Sequence, residues 1–406
     1  MSAGKISDKS MAGQRRIAVV GAGPAGQSAA LALARAGYPV TLIDAGPGPA
    51  PAAQAADLRV FALSPASLSL LAELAVWPPP QPERISPYRR MHVWQQDPLR
   101  GLELDAAALG WSELGCIVEH GVLQHALAQG VASTPAIQCH WQARVQALDQ
   151  GADEVIVQLE DGRRLSVSLL VAADGAGSPV RGLAGLTVRR HDYGQSGLVA
   201  NVRCRQPHEG TARQRFLPTG PLAFLPLASG PCDCSIVWSQ PHDQARHWRQ
   251  APAAHFEQAL TAAMDGWLGP IELLGERALF PLARQLAERY HDNRVVLIAD
   301  AAHAVHPLAG QGLNLGFLDV AALARILGAA ARRDLDPGLS ALLARYARER
   351  QGENALAAHG FDAIAGSYGL AGSGLDGLRD GVVGLLNTMP ALKRQLVMVA
   401  SGLAGR

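Results

Sequence analysis

Three acids in this chain stand where apolar runs end: Asp44 after VTLI, Asp174 after LLVAA and Asp300 after VVLIA. A carboxylate at the carboxyl end of a buried strand lies on the ligand edge of an open α/β sheet, where it accepts hydrogen bonds from hydroxyls such as those of a ribose. Glycines accompany each acid. Gly21, Gly23 and Gly26 form G-x-G-x-x-G ahead of Asp44, Gly175 follows Asp174, and Gly310 and Gly312 follow Asp300. Glycine turns bring backbone within contact distance of a phosphate or a flat ring, and a helix N-terminus beyond them favours negative charge. His303 and His306 lie in the third stretch, ADAAHAVHPLAGQGLNLGFLD (299–319). They read as structural hydrogen-bonding groups rather than acid–base groups, and no general base is assigned.

The elements around these residues follow from the patterning. Ile17–Val20 is a short apolar run suited to a strand buried on both faces. A helix is predicted from about Pro24 to Ala36, ended by Gly37, and a second strand, PVTLID, ends at Asp44. In this order Gly21 permits the tight turn, Gly23 lets backbone approach a pyrophosphate, and Gly26 lets helix and strand pack closely. The motif alone does not separate NAD from FAD. The second signal is D-G-x-x-S-x-V-R at 174–181, with Ser178 placed to cap a short helix that Pro179 begins. An ordinary strand–turn–helix junction is an equal reading of it. For the third, a strand over Arg294–Asp300 is predicted, then a break at Pro307 and a helix running to about Ala331.

Composition bounds the function. The chain has 406 residues, 48% apolar and 17% charged, with a net charge of +1. This is a globular chain of two or three structural units without the field that attracts nucleic acid. Its five cysteines, an odd number, include only the C-x-C pair Cys232/Cys234, so no metal site is assigned. The N-terminus is polar without a signal-peptide core, and no uninterrupted apolar run of about 18 residues predicts a spanning helix.

GAGPAG, DGAGSPVR and ADAAHAVHPLAGQGLNLGFLDVAALA, taken together, resemble the three fingerprints of the class A flavoprotein monooxygenases, the single-flavin aromatic hydroxylases. HPLAGQGLNLG, DLRVFALS (57–64), LGCIVEHGVLQHAL (114–127), QRFLPTGPLAFLPL (214–227) and MPALKRQLV (389–397) are similar to the ubiquinone-biosynthesis branch. The resemblance covers roughly residues 16 to 400 and departs twice: Ala299 stands where the family has glycine, and Asp44 where it has glutamate.

The resemblance implies an α/β chain. A Rossmann-like FAD-binding domain of the glutathione-reductase type would comprise 14–80, 114–186 and 285–340. An inserted antiparallel-sheet substrate domain would comprise 81–113 and 187–284, and a helical segment 341–406. It implies FAD held by Gly21, Gly23, Pro24, Ala25, Gly26, Asp44, Arg59, Gln124, Asp174, Asp300, Gly310, Gly312, Leu313 and Asn314. Pro307, Gly310 and Gln311 would surround the flavin ring. The implied reaction is hydroxylation of a polyprenyl phenol with O2 and NAD(P)H through a flavin hydroperoxide, with the cofactor performing the hard step. It implies no nucleic-acid partner, contact with other ubiquinone-biosynthesis proteins, and a cytoplasmic location with peripheral membrane contact. Hydroxylation of a small soluble phenol or aromatic acid is the alternative, as is a non-catalytic flavin-binding component. Phe216 and Phe224 read as substrate contacts or as core. Leu375, Leu378, Val382, Leu385 and Leu386 read as a helix packed on the core or as a lipid-facing one.

Overall fold

The computed structural model describes residues 15–49, 57–305, 311–369 (backbone alone for 361–369) and 398. Pro307, Gly310 and the 375–386 leucine pattern lie outside these. The chain opens with β1 (Ile17–Val20), α1 (Pro24–Arg35) and β2 (Val40–Ile43). Next come β3 (Val60–Leu63), α2 (Pro65–Glu73), β4 (Ile85–Tyr88), β5 (Arg90–Trp94) and β6 (Leu102–Asp105). Then follow β7 (Gly115–Glu119), α3 (His120–Ala132) and β8 (Ile137–His140). A meander of β9 (Val145–Gln150), β10 (Val155–Leu159) and β11 (Arg164–Val167) leads to β12 (Leu169–Ala172) and α4 (Pro179–Leu183). The long β13 (Val188–Cys204), β14 (Thr211–Leu217), β15 (Gly220–Pro226) and β16 (Asp233–Pro241) precede α5 (His242–Gln250), α6 (Ala253–Ala263) and β17 (Ile271–Ala287). The last elements are β18 (His291–Asp292), β19 (Val295–Leu297), β20 (His303–Ala304), α7 (Gln311–Ala331) and α8 (Ser340–Gly369).

Apolar runs decide the first sheet. β1, β2 and β12 are buried at every position, as strands covered on both faces must be. They lie in the order β18-β19-β12-β1-β2-β8, parallel except for the β18–β19 pair. The predicted strand over Arg294–Asp300 is shorter, Val295–Leu297, because the chain turns into a 3-10 turn at Ala299–Ala301. Alternation decides the second sheet. Its order is β20-β17-β13-β16-β15-β14-β5-β6, antiparallel apart from β14–β5. One face of it packs on α6 through Leu222, Phe224, Ile236, Phe256 and Leu260. A third, three-stranded sheet, β3-β7-β4, lies between, so β4 joins β7 while β5 and β6 join the large sheet.

The main core lies between the parallel sheet and the helices α1 and α7. Twenty-one residues of high hydropathy make α7 long enough to cross a membrane, but 67% of its apolar window is buried inside the protein, the mark of a core helix. α1 and α7 run alongside each other in the same direction. A methyl added at Gly316 would stand 3.8 Å from the Ala25 Cβ, and one at Gly328 would stand 3.6 Å from the Ala36 Cβ. Both helix N-termini therefore open at the same end of the molecule.

Ala299 occupies the left-handed region, with φ +51°. Its methyl meets α7 where a Cβ on Gly316 would lie 2.8 Å away. Alanine in place of Gly316 thus meets two opposed effects: about 1 kcal/mol of helix propensity gained and about 1–3 kcal/mol of overpacking. Gly316→Ala is expected to lower the urea midpoint of the flavin-saturated protein. In an Ala299→Gly background only the propensity remains, and the same substitution is expected to become neutral or stabilising by up to about 1 kcal/mol.

Candidate active site

The three glycine turns come together. Gly21 has φ +102°, and a Cβ there would stand 2.3 Å from the Ala173 carbonyl oxygen, so the first turn presses on the end of β12. A Cβ on Gly26 would stand 1.8 Å from the Gly21 carbonyl oxygen. Around Gly23, by contrast, nothing lies within 4 Å of where a Cβ would be. Gly23 is also the N-cap of α1 and supplies no capping side chain, while Pro24 fills the first helical turn. Free N–H groups, a positive helix end and an open approach therefore coincide at one point.

Side chains fix this loop from three directions. The Asp44 carboxylate accepts from Ala22 N at 2.6 Å with one oxygen and from Gly46 N at 2.7 Å with the other. The amides of Gln27 and Gln124 both donate to the Ala22 carbonyl, at 2.8 and 2.7 Å. Each keeps a buried Oε1 without a partner among the described residues.

The second motif is bound to the third. Asp174 accepts from the Ser178 hydroxyl and from Val180 N, and Ser178 Oγ accepts from Arg181 N, so acid and serine together cap α4. Burial raises the Asp174 pKa despite these bonds. Arg181 is buried and donates to the carbonyls of Ala301 and Ala176, at 2.8 and 2.9 Å.

In the third motif, Asp300 reaches solvent while protein crowds its other sides. That desolvation raises its pKa, and the charges of His303 and Arg59 oppose the rise. Arg59 is thus close to Asp300, with its guanidinium 5.1 Å from the Phe61 ring centroid. Asn314 is 3% exposed. Its Oδ1 accepts from Ser64 N and Ser67 Oγ, and its Nδ2 donates to the Ala62 carbonyl. This side chain holds the head of α7 on β3, leaving only its backbone for a ligand. Gly312 has open space around its Cβ direction, and Leu313 packs on the main core.

Behind the motif lies a buried charge hub. Asp319, the single acid of α7, accepts from Ala299 N (2.9 Å) and His303 Nε2 (2.6 Å) with one oxygen. Its other oxygen accepts from Arg350 Nε (2.8 Å) and Asn354 Nδ2 (3.0 Å) of α8. Desolvation pushes its pKa up, but His303 and Arg350 overcome that and hold it at about 2.

A cavity of about 70 Å3 lies between the small and large sheets, ending at Gln311. Met91, Ala212, Gln214 and Ala223 form the wall from the large sheet; Ala62, Tyr88 and Ile117 form the other. Phe224 is not in it. It belongs to the opposite face of the sheet, in the α6 core.

Of the expected site residues, Asp44 and Gln124 bond the Gly21–Gly26 loop, Arg59 lies close to Asp300, and the heads of α1 and α7 lie at the same end. Asp174 caps α4. Sequence reasoning placed Arg181 in the second motif without a role and missed Gln27, Asp319, Arg350, Tyr88 and Gln214. Polar residues inside largely apolar helices were the available signal for Gln27 and Asp319.

The groups present fit an FAD. The open cradle at Gly23, the unpartnered Oε1 atoms beside Ala22 and the shared opening of two helix N-termini suit a dinucleotide's phosphates, hydroxyls and ring. A model of the FAD binding domain family matches residues 14–357. The chain is 35% identical over 390 residues to the 3-demethoxyubiquinol 3-hydroxylase of Escherichia coli, covering 95% of this chain and 98% of that protein. It is 32% identical over 387 residues to the human mitochondrial ubiquinone biosynthesis monooxygenase COQ6, covering 84% and 82%. The solved p-nitrophenol 4-monooxygenase PnpA of Pseudomonas putida shares the fold, with a TM-score of 0.76 at 20% identity over 97% of this chain and 99% of that one. The chain belongs to the FAD-dependent aromatic hydroxylases, in their ubiquinone-biosynthesis branch, and is a flavoprotein monooxygenase that uses FAD and NAD(P)H.

Proposed function

We propose that this enzyme hydroxylates the aromatic ring of a polyprenyl phenol, an intermediate of ubiquinone biosynthesis, with O2 and reducing equivalents from NAD(P)H. The observation that carries the reading is the apolar cavity ending at Gln311, on the head of α7. It is a small space lined mostly by apolar side chains, at the end where the flavin ring would lie. The sequence relatives named above act in ubiquinone biosynthesis, which supports the substrate class.

FAD, when bound, accepts hydride from NAD(P)H and activates O2. The chain's residues hold, orient and exclude water. Gly21, Gly23, Pro24, Ala25 and Gly26 receive the pyrophosphate on the N-terminus of α1. Asp44 and Gln124 take ribose hydroxyls, and Arg59 meets the phosphates or the flavin edge. Asp300 serves the ribityl chain, and Asp174 shapes the loop beside it. Pro307, Gly310, Gln311, Gly312, Leu313 and Asn314 surround the ring, where the N-terminus of α7 favours negative charge. A prenylated substrate resides in lipid, so we place the enzyme at the cytoplasmic membrane surface, together with other proteins of the pathway.

The test uses purified, flavin-loaded protein, ortho-geranylphenol and isotopically labelled O2. NAD(P)H oxidation is expected to accelerate with the phenol and to yield a product carrying one labelled oxygen. Protein that binds no flavin, or that oxidises NAD(P)H without labelled product, would refute the reading.

A further inference from the structure

We infer that Gln214, with Tyr88 facing it, is the residue pair that selects the substrate by hydrogen bonding to an oxygen on a neutral ring. This rests on the function proposed above and names how that site chooses its ligand. Gln214 lies on β14 in register with Ala223 of β15 and Val93 of β5. Alternation along the strand puts Ala212 and Gln214 on the cavity face. Gln214 is 6% exposed and lines the cavity. Because the amide borders the cavity, a ligand oxygen that meets it gains a hydrogen bond that an apolar ligand forgoes. Across the gap, Tyr88 on β4 lines the same cavity. Burial raises its pKa, which keeps the phenol a neutral donor.

Gln214 and Tyr88 are thus both neutral. Arg213 neighbours Gln214 on the strand, but it stands in register with Phe224 and His92, on the opposite face. Its guanidinium donates to the His208 carbonyl at 3.0 Å. Arg213 is the one charged residue among the described residues that border the cavity, and its bond to His208 holds the guanidinium on the other face of the strand. A phenol or methoxyphenol oxygen can accept from the Gln214 amide or the Tyr88 hydroxyl. A ring carboxylate entering the same space would lose its water and meet no cation, a cost of several kcal/mol. The site therefore takes a phenol and rejects a benzoate.

The experiment compares binding of ortho-geranylphenol and para-hydroxybenzoate to flavin-loaded protein by calorimetry, and then steady-state turnover. Gln214→Met keeps the volume and removes both hydrogen-bonding atoms. It is expected to weaken phenol binding about tenfold and to raise KM more than it lowers kcat, with flavin content unchanged. Gln214→Asn, which keeps the amide, is expected to recover part of that loss. Gln214→Lys is expected to reverse the preference by admitting para-hydroxybenzoate. The inference is overturned if the parent protein binds both ligands alike, or if Gln214→Met binds the phenol as the parent does. A parent protein that hydroxylates no phenol would instead overturn the proposed function.

Discussion

Asp319→Ala is expected to lower stability by about 3–5 kcal/mol, the range for removing one partner of a buried ion pair. The reason is the number of groups that depend on this carboxylate. It accepts from Ala299 N, His303 Nε2, Arg350 Nε and Asn354 Nδ2, and its side chain is fully buried. Removing it strands a guanidinium that is itself 3% exposed. Arg350 keeps Glu353, but that carboxylate is largely in solvent and compensates weakly. Replacing both partners together, as Asp319→Leu/Arg350→Met, is expected to recover much of the loss, because no charge is left buried alone. The damage should be local first. Ala299 and His303 belong to the third motif, so flavin retention should fall at temperatures where the far-ultraviolet signal still persists.

The same carboxylate gives the fold an acid limit. Its folded-state pKa of about 2 lies below the ordinary carboxylate value near 3.9. A depressed pKa contributes stability that is fully present above the unfolded value and is lost as pH falls from about 4 to about 2. A gap of nearly two units corresponds to about 2–3 kcal/mol. Acid titration of the double variant should lack that part of the slope. If the single and double variants unfold at the same denaturant concentration as the parent, the hub does not hold the motif.

Several of these groups were legible from sequence because spacing along the chain dictates them. G-x-G-x-x-G between two apolar runs leaves its glycines one geometry, and Asp44 follows at the next strand end. The strand to Asp300 was read too long, since a positive φ at Ala299 breaks it and composition does not announce a left-handed alanine. Asp174 and Asn314 were expected to face the cofactor. Their side chains bond protein instead, because which of several donors an acid or amide meets depends on tertiary placement. Asp319 lies within the third motif with no role that spacing could assign, since its partner Arg350 is 31 residues away on another helix. Gln214 required knowing which face of β14 meets a cavity, and that depends on pairing with strands far apart in sequence.

Two alanine substitutions three residues apart are expected to fail in opposite ways. Gly26→Ala would place a methyl carbon 1.8 Å from the Gly21 carbonyl oxygen and 2.9 Å from its carbon, both backbone atoms. Relief requires the loop to move by more than an ångström. That breaks Gly21 N to the Ile43 carbonyl and Ala22 N to Asp44, at 2.8 and 2.6 Å. Overpacking of this kind costs about 3 kcal/mol or more, so the variant should be recovered without flavin and with a lowered melting temperature. Gly23→Ala meets nothing within 4 Å. Its backbone, φ −69° and ψ 176°, suits any residue. The flavin-free protein should therefore be as stable as the parent or more so by up to about 1 kcal/mol, since alanine narrows the unfolded ensemble. Its methyl, however, projects into the space through which a pyrophosphate would reach the N-terminus of α1. Flavin affinity should drop at least about tenfold, or 1.4 kcal/mol. Thermal unfolding of the stripped proteins, followed by flavin titration, separates the two effects. A Gly23→Ala protein that binds FAD as tightly as the parent would place the dinucleotide elsewhere.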